Sequence, residues 1–98
     1  MSRMVVRYRV RPECAELNEQ LVREVFEELD AVRPGGFTYQ SMVLADGVTF
    51  LHVVDGDTAG LGELPAFQRF AWTVGERCDD PPEQTTARVV GRFEGRTS

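Results

Sequence analysis

The chain has 98 residues, of which 42% are hydrophobic and 28% charged, and its formal net charge is −5 at pH 7. This length and this proportion of hydrophobic to charged residues are typical of one small globular domain and exclude a largely disordered chain. The negative charge disfavours a nucleic-acid partner, whose phosphates are neutralised by lysine and arginine, and no apolar run approaches the ~20 residues of a membrane span.

The first predicted element is a β-strand over residues 4–11, in which apolar and charged residues alternate. Its two sides carry Met4, Val6, Tyr8 and Val10, and Val5, Arg7 and Arg9, respectively. We expect the first of these sides to be buried. No signal-peptide core precedes the strand, and we therefore predict a cytoplasmic protein.

The second element is a helix with a clear apolar stripe. Pro12 suits the first turn of a helix, where the missing N–H of proline is harmless. Apolar residues then recur every three or four positions, at Leu17, Leu21, Val25, Leu29 and Val32. We expect Leu21 and Val25 to lie in the core. Residues 33–36, Arg-Pro-Gly-Gly, end the helix.

A β-hairpin follows the helix. Two strand patterns, over residues 37–45 and 48–54, flank the pair Asp46-Gly47, which is typical of a tight hairpin turn. A turn at this pair sets the register of the two strands. The expected cross-strand pairs are Val43 with Phe50, Ser41 with His52, and Tyr39 with Val54.

The last two predicted elements repeat the order of the first two in reverse. Apolar residues at helical spacing predict a second helix over residues 64–78, and the sequence Asp-Asp-Pro-Pro at 79–82 ends it before a strand over 84–93. The order βαββαβ predicts an α+β, ferredoxin-like sandwich, in which a four-stranded antiparallel sheet carries two helices on one face. We predict one domain over residues 1–98, with its core at 4–93.

The other face of this sheet has no cover within the chain. We therefore predict a homodimer, in which two open faces enclose a shared cavity and form a dimeric α/β barrel. In the hairpin we assign the more aliphatic side to the helices, which leaves the aromatic and polar side open. The side chains predicted on the open face include Tyr39, Ser41, Phe50, His52, Arg7, Arg9 and Arg88.

The pattern resembles the antibiotic-biosynthesis-monooxygenase-like domains of the dimeric α/β-barrel superfamily. The resemblance rests on the element order, on Val-Arg-Tyr-Arg-Val-Arg-Pro at 6–12, and on Leu-Pro-Ala-Phe-Gln-Arg-Phe at 64–70. It implies a small-molecule enzyme similar to cofactor-independent monooxygenases that act on aromatic or phenolic substrates. The alternative is a non-catalytic ligand-binding or assembly module on the same dimeric scaffold, because a fold alone does not decide activity.

His52, the only histidine, is the candidate catalytic residue, because an imidazole exchanges protons near neutral pH. The candidate ligand contacts are Arg7, Arg9 and Arg88 for an anionic oxygen, Tyr39 and Phe50 as stacking walls, and Ser41 beside His52. We expect a small aromatic or anionic ligand.

We predict neither a metal nor a cofactor, since no residues have metal-ligand or phosphate-loop spacing. Cys14 and Cys78 are expected to be reduced, although the topology brings them to the same end of the domain.

Overall fold

The computed structural model describes residues 2–95 and contains one four-stranded antiparallel sheet in the order β2-β3-β1-β4. Residue 1 and residues 96–98 of the predicted domain lie outside the described part of the chain. A short 3-10 turn, Pro12–Cys14, precedes the first helix. The elements are β1 (Ser2–Val10), α1 (Ala15–Val32), β2 (Phe37–Val43), β3 (Thr49–Gly56), α2 (Ala59–Gly62), α3 (Pro65–Arg77) and β4 (Cys78–Arg88).

This arrangement confirms the predicted α+β, ferredoxin-like fold, with a short third helix, α2, in addition to the two expected ones. The long helices α1 and α3 contact each other on one face of the sheet. Val25 from α1 and Phe70 from α3 join Tyr8 and Phe50 of the sheet in a single apolar core. No helix among residues 2–95 is long and apolar enough to cross a membrane.

The buried stripe of α1 is rotated relative to the predicted one. Val25 is fully buried as expected, but Leu21 is only partly buried and Leu17 is 53% exposed. The positions that face the sheet are instead Asn18, Val22 and Val25, which share one side of the helix. A polar residue therefore occupies a core position of α1.

The predicted hairpin register is confirmed, since Val43 pairs with Phe50, Ser41 with His52 and Tyr39 with Val54. Gly47 adopts a φ of 77°, in the left-handed region that favours glycine. The loop is longer than two residues, because the Leu44 N–H donates to the Thr49 carbonyl and closes it over residues 45–48. The Asp46 carboxylate accepts hydrogen bonds from the N–H groups of Val48 and Thr49 and holds this loop.

The last strand differs from the prediction. It runs over Cys78–Arg88 rather than 84–93, and it contains the two prolines that were expected to end the helix. β4 lies at the edge of the sheet, where a proline is tolerated because the backbone has no second strand to bond. Its pairing with β1 shifts register between Arg7 and Arg9, and this irregularity takes up the proline segment.

The predicted assignment of the hairpin faces is wrong. β1 pairs Val6 with His52 and Tyr8 with Phe50, so these four side chains share a face. Tyr8, Phe50 and His52 are 2%, 2% and 4% exposed, and that face lies under the helices. Counting aliphatic residues gave the wrong face because the side of the hairpin that the helices cover carries the aromatic residues Tyr39, Phe50 and His52, which pack against Phe26, Tyr8 and Phe70.

Candidate active site

A cavity of about 400 Å³ lies between the sheet and α3, on the helix-covered side rather than on the open side. Most of its wall is apolar or aromatic, which is typical of sites for small organic molecules. The apolar lining includes Val6, Val54, Leu61, Phe67, Phe70 and Val74. The polar side chains in the wall include Tyr8, Tyr39 and His52.

His52 is held between two tyrosine hydroxyls. Its Nε2 atom lies 2.8 Å from Tyr8 Oη, and its Nδ1 atom lies 2.6 Å from Tyr39 Oη. Tyr8 comes from β1 and Tyr39 from β2, on either side of the strand that carries His52. Both ring nitrogens are therefore occupied by side chains of the protein, and a molecule in the cavity reaches the imidazole through a tyrosine.

The hydrogen bonds continue from Tyr8 into the helices. Asn18 of α1 donates from Nδ2 to Tyr8 Oη at 2.9 Å, and Arg77 of α3 donates from Nε to Asn18 Oδ1 at 3.0 Å. Arg77 also donates to Thr73 Oγ1 at 2.7 Å and to the Phe70 carbonyl at 3.3 Å. One continuous chain of side chains thus connects a buried guanidinium to the cavity.

Aromatic rings enclose His52 and fix the orientation of the imidazole. The Phe70 ring lies 5.3 Å from the imidazole centroid, and the Tyr8 and Tyr39 rings lie at 5.4 and 5.7 Å. Phe26 of α1 stacks on Tyr39 at 4.9 Å and supports it from the other side. Both the ring positions and the hydrogen bonds are therefore set before any ligand arrives, which is the kind of preorganisation that an active site needs.

Burial keeps these groups in their neutral forms. It lowers the pKa of His52 from 6.5 to about 4, because a charged imidazole is poorly solvated among the aromatic rings. Burial also raises the pKa of Tyr8 and of Tyr39 above that of a free tyrosine. At neutral pH the imidazole is uncharged and both tyrosines are protonated.

The residues predicted for the site are only partly brought together. His52 and Tyr39 line the cavity, although on the side of the sheet opposite to the predicted one. Ser41 pairs with His52 across the hairpin, but the imidazole bonds to the two tyrosines instead. Phe50 is a core residue that stacks on Tyr8 at 5.5 Å.

The three arginines predicted to accompany His52 do not reach it. Arg7 and Arg9 are exposed on the opposite face of the sheet, because they alternate with the buried Tyr8. Arg88 is exposed at the end of the edge strand β4, paired with the start of β1. The buried cation linked to His52 is instead Arg77, which is 5% exposed and is connected to the imidazole through Asn18 and Tyr8.

Three members of the hydrogen-bonded chain were missed by the sequence analysis as site residues, namely Tyr8, Asn18 and Arg77. Asn18 and Arg77 lie at helical spacing from buried apolar residues, Val22 on α1 and Phe70 on α3. A polar residue on the buried stripe of a helix needs a partner in the core. That signal was present in the sequence, and it points to both helices.

Cys14 and Cys78 are free and half-buried thiols, and both lie close enough to Arg77 to interact electrostatically with its guanidinium. Burial raises the pKa of the Cys78 thiol. Among residues 2–95, no group of three or more His, Cys, Asp or Glu side chains is placed to hold a metal ion.

The fold is that of the antibiotic-biosynthesis-monooxygenase-like proteins of known structure. No protein-family model matches the chain, and no curated protein matches it significantly. Solved structures do match over nearly the whole chain, at low sequence identity, and they establish the shared fold.

Three of these structures illustrate the likeness. An antibiotic biosynthesis monooxygenase superposes with a TM-score of 0.72 at 18% identity, over 93% of this chain and 100% of that protein. Rv0793 from Mycobacterium tuberculosis gives 0.70 at 18% identity, over 95% and 98% of the two chains. A mutant of SnoaB, a cofactor-independent oxygenase from Streptomyces nogalater, gives 0.68 at 14% identity, over 96% and 97%.

Proposed function

We propose that this protein is a small-molecule oxygenase that acts on an aromatic or phenolic substrate without a cofactor. The observation that carries the proposal is the aromatic-walled cavity whose polar groups, Tyr39 and His52, are fixed by hydrogen bonds and stacking. The fold shared with a cofactor-independent oxygenase supports the same chemistry. An apolar cavity also suits this reaction, because it excludes water from a reactive intermediate.

The reaction that fits this site converts a phenol to a quinone with molecular oxygen as the oxidant. A ring carbon of the ionised phenol gives electrons to O2 and forms a bond to one oxygen atom. The phenol has lost its proton to the solvent on ionising. The O–O bond then breaks, and the second oxygen atom leaves as water with the hydrogen of the oxidised carbon, released as a proton, and one proton taken back from the solvent. The protein supplies a dry cavity, stacking surfaces and a polar contact for the phenol oxygen.

His52 has a different role in this proposal from that of a free base. Because its nitrogens are bonded to Tyr8 and Tyr39, His52 acts on a substrate through Tyr39. We therefore assign Tyr39 as the residue that touches the substrate oxygen and His52 as the residue that positions Tyr39. Phe67 and Phe70, which also line the cavity, replace the predicted Phe50 as stacking walls.

We further propose that the chain forms the predicted homodimer through the open face of its sheet. Four residues motivated that prediction, namely Phe50, Val54, Val5 and Val90. Phe50 and Val54 lie on the helix-covered face, whereas Val5 lies on the open face, paired with Val53, and Leu51 lies on the same face. Val5, Leu51 and Val53 supply an apolar surface there. These three side chains are only partly buried in the single chain. A second subunit would bury them, and the shared cavity between subunits is not needed for the site proposed here.

A ligand screen followed by an activity assay tests the function. Thermal unfolding is measured with 1-naphthol, anthrone and aromatic acids, since a ligand of the folded state raises the midpoint by mass action. Compounds that stabilise the protein are then assayed for oxygen uptake. We expect uptake with at least one phenol, reduced in Tyr39→Phe. Stabilisation without uptake would instead identify a non-catalytic binding protein.

A further inference from the structure

The hydrogen bonds that connect Arg77 to Tyr39 are all donated in one direction, toward Tyr39. This follows because Arg77, the first group in the series, cannot accept a hydrogen bond. A guanidinium only donates, so the Asn18 atom that contacts Arg77 Nε is the carbonyl oxygen. The amide nitrogen of Asn18 therefore faces Tyr8, and it donates to the Tyr8 oxygen. The orientation of Asn18 is thus fixed by chemistry.

The same reasoning places the next two protons. Tyr8 Oη accepts from Asn18, and its other partner among the described residues is His52 Nε2, so the buried Tyr8 hydroxyl donates to that nitrogen. A nitrogen that accepts carries no proton, and the neutral ring then holds its single proton on Nδ1. Nδ1 lies 2.6 Å from Tyr39 Oη, and it donates to the Tyr39 oxygen.

The series of hydrogen bonds therefore ends at the Tyr39 hydroxyl. Its oxygen accepts a hydrogen bond from His52 Nδ1, and its proton is free to be donated. Within residues 2–95, Tyr39 Oη has no second hydrogen-bond partner, and Tyr39 lines the cavity. Its O–H group is left to donate to whatever lies there. The hydroxyl of a tyrosine is protonated at neutral pH, and burial raises the pKa of Tyr39 further above its usual value.

The far end of the chain carries a buried positive charge. Arg77 is 5% exposed, and its partners are an amide oxygen, a hydroxyl, a backbone carbonyl and the face of Phe70, with the guanidinium 5.7 Å from the ring centroid. Among the described residues, no carboxylate forms an ion pair with it. A buried charge without a counter-ion favours a negative charge nearby.

We propose that the cavity binds its ligand through an anionic oxygen of the phenolate or enolate type, which accepts the hydrogen bond of Tyr39, and that Arg77, Asn18, Tyr8 and His52 fix the direction of that bond. This inference rests on the proposed function and names the charge state of its substrate. Each group in the chain donates toward the cavity, so the chain stabilises an anion and does not remove a proton from the ligand. His52 is a positioning residue in this account.

The tautomer of His52 tests the direction of the chain without any ligand. The protein has a single histidine, so a long-range 1H–15N correlation spectrum of 15N-histidine-labelled protein shows one ring. We expect a protonated Nδ1 and an unprotonated Nε2 at pH 7. In Tyr8→Phe the donor to Nε2 is lost, and we expect the Nε2–H tautomer to become populated. A wild-type ring protonated on Nε2 would overturn the inference.

The charge of the ligand is tested with two probes that differ by one methyl group. 4-Nitrophenolate offers an anionic oxygen, and 4-nitroanisole has the same ring with a neutral ether. We expect the phenolate to bind more tightly, and Tyr39→Phe to weaken its binding at least about tenfold, because a hydrogen bond to a charged oxygen is stronger than one between neutral groups. Binding of 4-nitroanisole should change little in this variant.

Equal binding of the two probes, or an unchanged phenolate affinity in Tyr39→Phe, would also overturn the inference. Tyr8→Phe gives a further check, since it leaves Tyr39 in place and should still weaken phenolate binding. None of these measurements requires turnover. Failure of the proposed oxygenase activity, with the Nδ1–H tautomer and phenolate preference intact, is therefore distinguishable from failure of this inference.

Discussion

Tyr39 and His52 are diagonal neighbours on the hairpin, and this offset brings Tyr39 Oη within 2.6 Å of His52 Nδ1. Tyr39 pairs with Val54, and His52 pairs with Ser41, so the two rings meet obliquely on one face of the sheet. Tyr8 stands in the same diagonal relation on the other side, because it pairs with Phe50 while His52 pairs with Val6. β3 thus presents one imidazole between the two phenols of its neighbouring strands.

The stability of the protein should fall in mild acid because His52 is buried in its neutral form. Its pKa is 6.5 in an unfolded chain and about 4 in the fold, so the unfolded state takes up the proton first as the pH falls. The stability contributed by the neutral ring is complete above pH ~6.5 and is lost between that value and ~4, by up to about 3 kcal/mol. Denaturant unfolding at pH 7.5 and 4.5 measures this loss.

The matched control for this prediction is His52→Gln, which removes the titration. Carboxylates contribute to acid sensitivity in both proteins, so the difference between them isolates His52. We expect the free energy of unfolding to fall by about 2–3 kcal/mol more in the wild type than in the variant over this range. Equal losses would mean that the ring is solvated in the folded state.

The position of the site on the helix-covered side can be tested by filling the cavity. Ala71 lines the cavity from α3, and the neighbouring Trp72 is 76% exposed. Ala71→Phe should abolish binding of 4-nitrophenolate, because the added ring occupies the space of the ligand. Trp72→Ala should leave binding unchanged, and it serves as the control on the same helix. Unchanged binding in Ala71→Phe would place the site elsewhere.

Part of this arrangement could be predicted from the sequence, and part could not. The alternation in β1 and the turn at Asp46-Gly47 are local signals, and they predicted the first strand and the hairpin register. The burial of His52 is not local. It depends on which face of β3 meets the helices, and that is decided by aromatic packing with residues such as Phe70, which is far away in sequence.

The position of β4 could not be predicted from local sequence signals either. Pro81 and Pro82 suggest a break in regular structure, and only the position of β4 at the sheet edge makes a strand acceptable there. The site residues Asn18 and Arg77 are polar positions on apolar helix stripes, and their partners become visible only when the two helices are packed together.

The proposed dimer should depend on the open face of the sheet. Val53→Glu places a charge at the centre of that face, where burial against a second subunit would be costly. Sedimentation velocity at micromolar concentration should show a dimer for the wild type and a monomer for this variant. Val32→Glu, at a position on α1 that is 58% exposed, should remain dimeric. A wild-type monomer would contradict the proposed assembly.

Two glycines with positive φ should respond very differently to substitution. Gly56 has a φ of 109°, and an added Cβ would collide with the Gly36 carbonyl and approach the Phe37 Cα to 2.9 Å. Gly47 has a φ of 77° but open space around it. Gly47→Ala should cost about 1–2 kcal/mol of folding free energy, and Gly56→Ala clearly more. Denaturant midpoints measure both, and a reversed order would mean that the two strands separate at Gly56.

The most direct test of the proposed oxygenase is the origin of the oxygen in its product. Purified protein is incubated with 1-naphthol or anthrone under 18O2, and the quinone is analysed by mass spectrometry. The proposed reaction predicts one 18O atom per product molecule, formed faster than without protein, and a large loss of rate in Tyr39→Phe. Absence of quinone above the uncatalysed rate, or a quinone whose new oxygen comes from water, would contradict the proposal.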